Sequence, residues 1–270
     1  MNFDEFRRQL IDRRGPRVEN LVCLRRTAST NSVGRRIAGE YLNEGLPVPT
    51  VLIVALEQTG GRGRWGRRWE SPAGKGVYAS LVLTLASQDE LATLPLLAAV
   101  GLARAVNRHL APAGGAPCRL KWPNDLLVGG RKLAGVLIES CGENDLLAAV
   151  VGFGLNHGQG EDELAGLSGH QGGRPATSLR LEMDPPPPLA ALACELGEAV
   201  QEQLDHLGDA SYAAELYAEL SLHRPGDRLC CHAGEGTVEG TFLGFDRRGF
   251  LRLEVAGREM QLAAGEVATA

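Results

Sequence analysis

Apolar residues recur along this chain in two rhythms, and each predicts a kind of element. Near the start, Phe3, Phe6 and Leu10 fall on one face of a short helix, followed by the basic, flexible RRGPR stretch at 13–17. LVCLRRT reads as a strand, after which Ser29, Thr30 and Asn31 offer N-cap side chains to a helix running towards Asn43. Continuous apolar runs of the kind that buried strands need occur at TVLIVALEQ, GVYASLVLTL and LLAAVVGFGLN. CRLKWP, DLLV and RKLAGVLIES read as three more strands, the last two joined by a Gly129-Gly130 hairpin turn.

Two segments carry the helical period. LATLPLLAAVGLARAVNRHL is a long apolar helix with Pro95 expected in its first turn. A second helix, set up by the prolines at 185–188, places Leu189, Leu192, Leu196, Val200, Leu204 and Leu207 on one face. After HRPGD (223–227) the helical pattern stops, and four short strands follow: RLCCHA, GTVEGTFLGF, FLRLEVAG and REMQLAAGEV. The expected organisation is a short leader over 1–20, a main domain over 21–223 and a small β unit over 224–270. About 45 residues of β-structure are marginal alone, so this last part should dock on the main domain.

With 270 residues, 44% of them apolar, the chain is long enough for one large domain and a small one. The formal net charge of −5 argues against a nucleic-acid footprint spread over the surface. No apolar run approaches the ~20 residues needed to cross a bilayer, and MNFDEFRRQL has no secretory h-region, so the chain reads as cytoplasmic. The six cysteines lack CxxC spacing. Cys230, Cys231, His232 and His223 make a poor metal set, because strand neighbours in DRLCCHAG face opposite ways; no metal site is expected in the protein itself.

Three stretches carry candidate chemistry. Gln58 to Trp69, QTGGRGRWGRRW, holds four arginines and four glycines, a loop that can approach an anion closely and surround it with guanidinium groups. A solvated basic loop, or an RG-rich nucleic-acid contact, would have the same composition. KWPND (121–125) is followed by RKLAG, in which Lys132 enters an apolar strand; either the lysine is functional or it sits at an exposed strand start. Gly152 to Asn156, GFGLN, ends an apolar strand with glycines that would let a nucleotide or sugar lie against backbone. It is neither a GxGxxG fingerprint nor a phosphate loop.

Ser29-Thr30-Asn31, Gln58 with GRGRWGRRW, KWPND, RKLAG and GFGLN, in this order and spacing, resemble the signature of the biotin protein ligases, from about Leu21 to the C-terminus. The resemblance implies an α/β fold of α+β type: a class II synthetase-like catalytic domain with a mixed, mainly antiparallel sheet backed by helices on one side, and a small SH3-like β-barrel. It also implies site roles. Ser29, Thr30, Asn31 and Gln58 resemble the positions that hold the polar ureido end of biotin, with Gly135 also on the biotin side. Arg62, Gly63 and Arg64 resemble the loop that closes over the biotin carboxylate and nucleotide phosphate, and Trp69 the residue packing on adenine. Lys132 resembles the lysine contacting both the carboxylate and the α-phosphate, while Asn124, Asp125, Gly154 and Asn156 lie on the nucleotide side.

The implied reaction uses ATP and Mg²⁺ to activate biotin as biotinyl-5′-AMP, then transfers it to a lysine of a biotin carboxyl carrier protein. Lys132, Arg64 and Asp125 are the expected catalytic residues, with Asp125 either orienting the acceptor amine or structural. Because the stretch before Leu21 is shorter than the ~50 residues of a small domain, no sequence-specific DNA binding is expected. A homodimer is allowed by the resemblance, and no membrane association is expected. The C-terminal strand of many relatives ends with an arginine near the nucleotide, whereas this chain runs GEVATA. The competing readings are a lipoate or octanoate ligase, whose pocket would be an apolar tunnel, and a nucleic-acid-binding module built on the arginine loop.

Overall fold

A computed structural model describes residues 2–13, 15, 17–18, 20–165, 175–233 and 236–269; Arg14 and Pro16 of the RRGPR stretch lie outside the described residues. The main sheet contains β1 (Asn20–Leu24), β2 (Val51–Ala55), β3 (Gly76–Leu85), β4 (Cys118–Lys121), β5 (Asp125–Val128), β6 (Arg131–Glu143) and β7 (Leu146–Asn156). Their spatial order is β1-β2-β3-β7-β6-β5-β4. β1 and β2 are parallel and the other neighbours antiparallel, as expected of a mixed, mainly antiparallel sheet. Gly129 and Gly130, at φ 56° and 76°, make the β5–β6 turn that positive φ reserves largely for glycine.

The helices are α1 (Phe3–Arg13), α2 (Thr30–Asn43), α3 (Gln88–Leu110), α4 (Glu161–Ala165), α5 (Leu179–Glu182), α6 (Leu189–Gln201) and α7 (Ala210–Leu220). They cover both faces of the sheet rather than one. Leu52, Val54, Leu81, Leu83, Ala149 and Val151 pack with α3 and α6 on one side. Their strand neighbours Val51, Ile53, Val82, Ala148 and Val150 meet Ala38 and Leu42 of α2 on the other, as the period of two requires. Phe6 and Leu10 bury α1 in the larger core, where Cys194 of α6 donates to the Leu10 carbonyl.

Two helix boundaries differ from the sequence reading. α3 begins before Leu91, because Ser87 caps it: its Oγ accepts from Glu90 N–H while Glu90 Oε2 accepts from Ala86 N–H, a reciprocal cap. Pro95 is therefore interior, where it forgoes one backbone hydrogen bond. α6 stops at Gln201, and a 3₁₀ turn over Leu204–His206 carries Leu204 and Leu207 onto the core without continuing the helix. α7, which the sequence reading lacks, starts at an Asp209 cap accepting from Tyr212 N–H.

The last segment forms β8 (Arg228–Ala233), β9 (Gly236–Phe245), β10 (Leu251–Val255), β11 (Arg258–Leu262) and β12 (Glu266–Thr269), in the order β11-β10-β9-β8-β12. REMQLAAGEV thus splits in two: β11 pairs with β10, and β12 crosses to β8. Leu229, Cys231, Phe242, Leu251, Leu253 and Val267 join the core of the main sheet. Cys231 is buried and Cys230 only partly so, which is the alternation expected there. Among the described residues no group of three or more His, Cys, Asp or Glu is arranged to hold a metal. Nor is any described helix long and apolar enough to cross a membrane.

Candidate active site

On the α2 side of the sheet, strands β3, β6 and β7 floor a cleft lined by both polar and apolar groups, the mixture that small-molecule sites use. The cleft brings together Ser29, Thr30, Asn31, Gln58, Arg62, Gly63, Arg64, Trp69, Asn124, Asp125, Lys132, Gly135 and Gly154. Asn156 is not among the lining residues: it is fully buried, donating to the Thr177 carbonyl and accepting from Gln159.

The inner end is polar and hydrogen-bonded. Ser29 stands at the N-cap of α2 but makes no capping hydrogen bond with its side chain. Gln58 Oε1 accepts from the Thr30 N–H at 2.8 Å and its hydroxyl at 3.2 Å, while Gln58 Nε2 donates to Ser71. Asn31 is held on every side: Ser80 Oγ lies 2.6 Å from its Oδ1, and its Nδ2 donates to the Leu137 carbonyl and to Glu139. Its donors are engaged within the protein, so Asn31 shapes this end of the cleft.

The glycines of GFGLN do something other than admit a ligand. A Cβ on Gly152 would stand 2.0 Å from Asn31 Oδ1, and one on Gly154 would stand 2.6 Å from the Trp69 ring. These glycines seat two protein side chains against β7. Gly135 is different, since a Cβ there meets nothing nearer than 3.6 Å and looks into open cleft bordered by Lys132, Trp69 and Asp125.

Cations line the other walls. Lys132 Nζ is 2.7 Å from Asp125 Oδ1, with only 12% and 14% of the two side chains exposed, and lies 5.5 Å over the Trp69 ring. This answers the open question about Lys132: it is not a solvated strand start. Its backbone is fixed as well, because Lys132 N–H donates to the Pro175 carbonyl and its carbonyl accepts from Thr177. Asn124 Nδ2 donates to the Val136 carbonyl, bracing the turn between β4 and β5.

The arginine loop is a small hairpin in which Gly63 N–H donates to the Arg67 carbonyl and Trp69 N–H to that of Gly61. Each arginine meets a specific acceptor. Arg62 pairs with Glu139 at 2.9 Å, Arg64 donates to the Gly265 carbonyl, and Arg67 makes a two-pronged pair with Glu266. Burial pulls the Arg64 guanidinium below its ordinary value, with Asp125 and Glu266 opposing; it stays charged, as arginine does. The hydrogen bond to Glu266 raises Arg67. Burial alone would raise Glu266, but Arg67, with Lys121 and Lys132 nearby, holds its carboxyl below the usual range.

Lys121, Glu139, Ser80 and Glu266 were not among the sequence-derived site residues. Lys121, the first residue of KWPND and 3% exposed, lines the cleft; a lysine inside a short strand was its signal. An acid ending the apolar LAGVLIE run was the signal for Glu139, while nothing local marks Glu266.

The biotin/lipoate A/B protein ligase family model matches residues 23–156. A biotin–[acetyl-CoA-carboxylase] ligase of Paracoccus denitrificans is 34% identical over 247 residues, covering 89% of this chain and 97% of its own length. The chain belongs to the biotin/lipoate A/B protein ligase family. Another family member, the biotin–[acetyl-CoA-carboxylase] ligase of Mycobacterium tuberculosis, is 31% identical, with 83% and 80% of the two chains covered. The bifunctional ligase/repressor BirA of Bacillus subtilis is 30% identical over 82% of this chain, which spans 66% of that relative's length. Among solved members, the Aquifex aeolicus biotin protein ligase in complex with biotin and ATP shares the fold, with TM-score 0.71, 24% identity and coverage of 93% and 98%. Each of the stretches singled out in the sequence, residues 29–31 and 58–69, KWPND, RKLAG and GFGLN, contributes residues to the cleft described above.

Proposed function

We propose that the chain is an ATP-dependent biotin protein ligase that forms biotinyl-5′-AMP and passes the biotinyl group to a lysine of a biotin carboxyl carrier protein. The observation that carries this reading is the cleft itself, with a neutral hydrogen-bonding end at Ser29, Thr30 and Gln58 and a cationic wall at Lys132, Arg64 and Arg62. The neutral end suits a urea-like group that both donates and accepts. It disfavours the aliphatic tail of lipoate or octanoate, whose burial would strand those polar atoms.

In the first step a biotin carboxylate oxygen bonds to the α-phosphorus and the bond to the β-phosphoryl oxygen breaks, releasing pyrophosphate. Lys132, buried on the cleft wall, would offset repulsion between carboxylate and phosphate. Arg64, half-buried and fixed at Gly265, adds charge where the phosphoryl oxygens gain it; such preorganised contacts are each worth about 2.7–4 kcal/mol. Trp69 and Gly154 form the wall on which adenine would pack. In the second step the carrier amine attacks the biotinyl carbonyl, AMP leaves, and Asp125 would orient that amine or take its proton. The protein carboxylates of the cleft are paired with Lys132 and Arg67, so the residues present do not make a protein-held magnesium site. Mg²⁺ is written as part of the substrate, MgATP.

Pyrophosphate exchange into ATP, run with biotin, lipoate or octanoate, tests the reading. Exchange dependent on biotin alone supports it; exchange driven by either fatty acid, or by none of the three, sinks it. Incorporation of biotin into a carrier domain, abolished by replacing the acceptor lysine, tests the second step.

A further inference from the structure

Glu139 ends the apolar LAGVLI run of β6, and only 19% of its side chain is exposed. A carboxylate is kept in such a place only with strong partners, and Glu139 has three, two from α2 and one from the arginine loop. Its Oε2 accepts from Asn31 Nδ2 at 2.8 Å and from Arg62 at 2.9 Å, and its Oε1 from Arg35 at 3.4 Å. Asn31 belongs to the inner wall of the cleft, Arg62 to the arginine loop, and Arg35 to the outer face of α2.

The network continues on both sides. Beyond Asn31 it reaches Ser80, Thr30, Gln58 and Ser71. Beyond Arg62, the same guanidinium nitrogen also donates to Ser32 Oγ at 3.3 Å. Arg62, Arg64, Arg67 and Arg68 repel one another, so the hairpin needs anchors. Glu266 anchors its far end, and Glu139 its near end beside the polar pocket.

We propose that Glu139 is a positioning residue: its carboxylate ties the arginine loop to the start of α2 and so sets the relative placement of the two walls between which biotin would lie. The assignment rests on the biotin-ligase reading for its kinetic consequence, though not for its structural one. Asn31 contributes shape and Arg62 contributes charge, and both are held by one group that touches neither reacting atom. Removing the negative charge while keeping the side chain's shape leaves Asn31 with a neutral acceptor but releases Arg62.

Glu139→Gln is the test variant, with its melting temperature measured first to show that the fold stands. In ligand-free protein, tryptic cleavage after the loop arginines should be faster than in the wild type by about fivefold or more, since a charge-assisted anchor has been replaced by a weaker neutral one. Sodium chloride at about 0.5 M should speed cleavage of the wild type and narrow the gap, because screening weakens only the ionic anchor. Equal cleavage in the two proteins would overturn the proposal.

In steady-state pyrophosphate exchange, KM for biotin should rise about tenfold, with kcat and KM for ATP changed less than about threefold. Arg62→Ala/Glu139→Gln should be no worse than Arg62→Ala alone, as expected if Glu139 acts through Arg62. An unchanged KM for biotin, parallel rises in both KM values, or strictly additive effects would each overturn it. The proteolysis arm needs no substrate, so it decides the role of Glu139 whatever activity the wild type proves to have.

Discussion

Lys132→Ala removes the cation of a buried pair and should do two separable things. The first concerns stability. At 2.7 Å and an effective dielectric of about 20, the attraction between Lys132 and Asp125 is about 6 kcal/mol before desolvation is subtracted. Stranding one partner of such a pair typically costs about 3–5 kcal/mol; the 12–14% of each side chain that still reaches solvent puts the expected loss near the lower end, about 3 kcal/mol. Asp125→Asn, added to Lys132→Ala, removes the stranded charge and should recover about 2 kcal/mol. The second effect is chemical. Without the ammonium, adenylate formation should slow by about 10²–10³-fold, and the added Asp125→Asn should not restore it. Lys132→Arg should rescue only in part, because a planar fork does not replace a point charge between two oxyanions. Urea unfolding gives the stabilities and single-turnover adenylate formation gives the rates. Near-normal rates in Lys132→Ala would remove the lysine from the mechanism. Recovery of rate in the double variant would mean that the lysine serves only to neutralise Asp125.

Gly154→Ala should lose about 1–3 kcal/mol through overpacking and raise KM for ATP, because its Cβ would stand 2.6 Å from the Trp69 ring; Gly135→Ala, with no neighbour nearer than 3.6 Å, should melt like the wild type. His157 is held below its ordinary value chiefly by burial, against a hydrogen bond to the Pro187 carbonyl. The unfolded chain therefore takes up that proton more readily, so the His157 contribution is complete above the ordinary imidazole range of ~6.5 and is lost as pH falls below it; His157→Gln should flatten the fall in stability between pH 7 and 5. Among the described residues the buried Tyr217 hydroxyl has no hydrogen-bond partner, so Tyr217→Phe should leave the melting temperature unchanged or raise it, by up to about 1 kcal/mol in stability.

Strands were the most legible part of the sequence: GVYASLVLTL and LLAAVVGFGLN coincide with β3 and β7, since a run that is apolar on both faces has few other fates. Helix ends were less legible, because they depend on single capping side chains. Pro95 suggested a start that Ser87 and Glu90 place earlier. The motifs named most of the cleft's residues but not their relations. Arg67 and Glu266 stand 199 residues apart, a distance over which no local pattern reaches. The glycines at 152 and 154 were legible as places of close approach, but whether a ligand or a neighbouring side chain approaches is a tertiary fact.

The small C-terminal sheet is stitched to the motif residues. Trp122 of KWPND donates to the Gly249 carbonyl, Arg64 reaches the Gly265 carbonyl and Arg67 grips Glu266, all over a shared apolar core. The roof of the cleft is thus hung from a part of the chain that supplies almost none of its chemistry. Damage at Phe242 or Leu251, remote from any substrate, would be felt as slack in the arginine loop before the main sheet gave way.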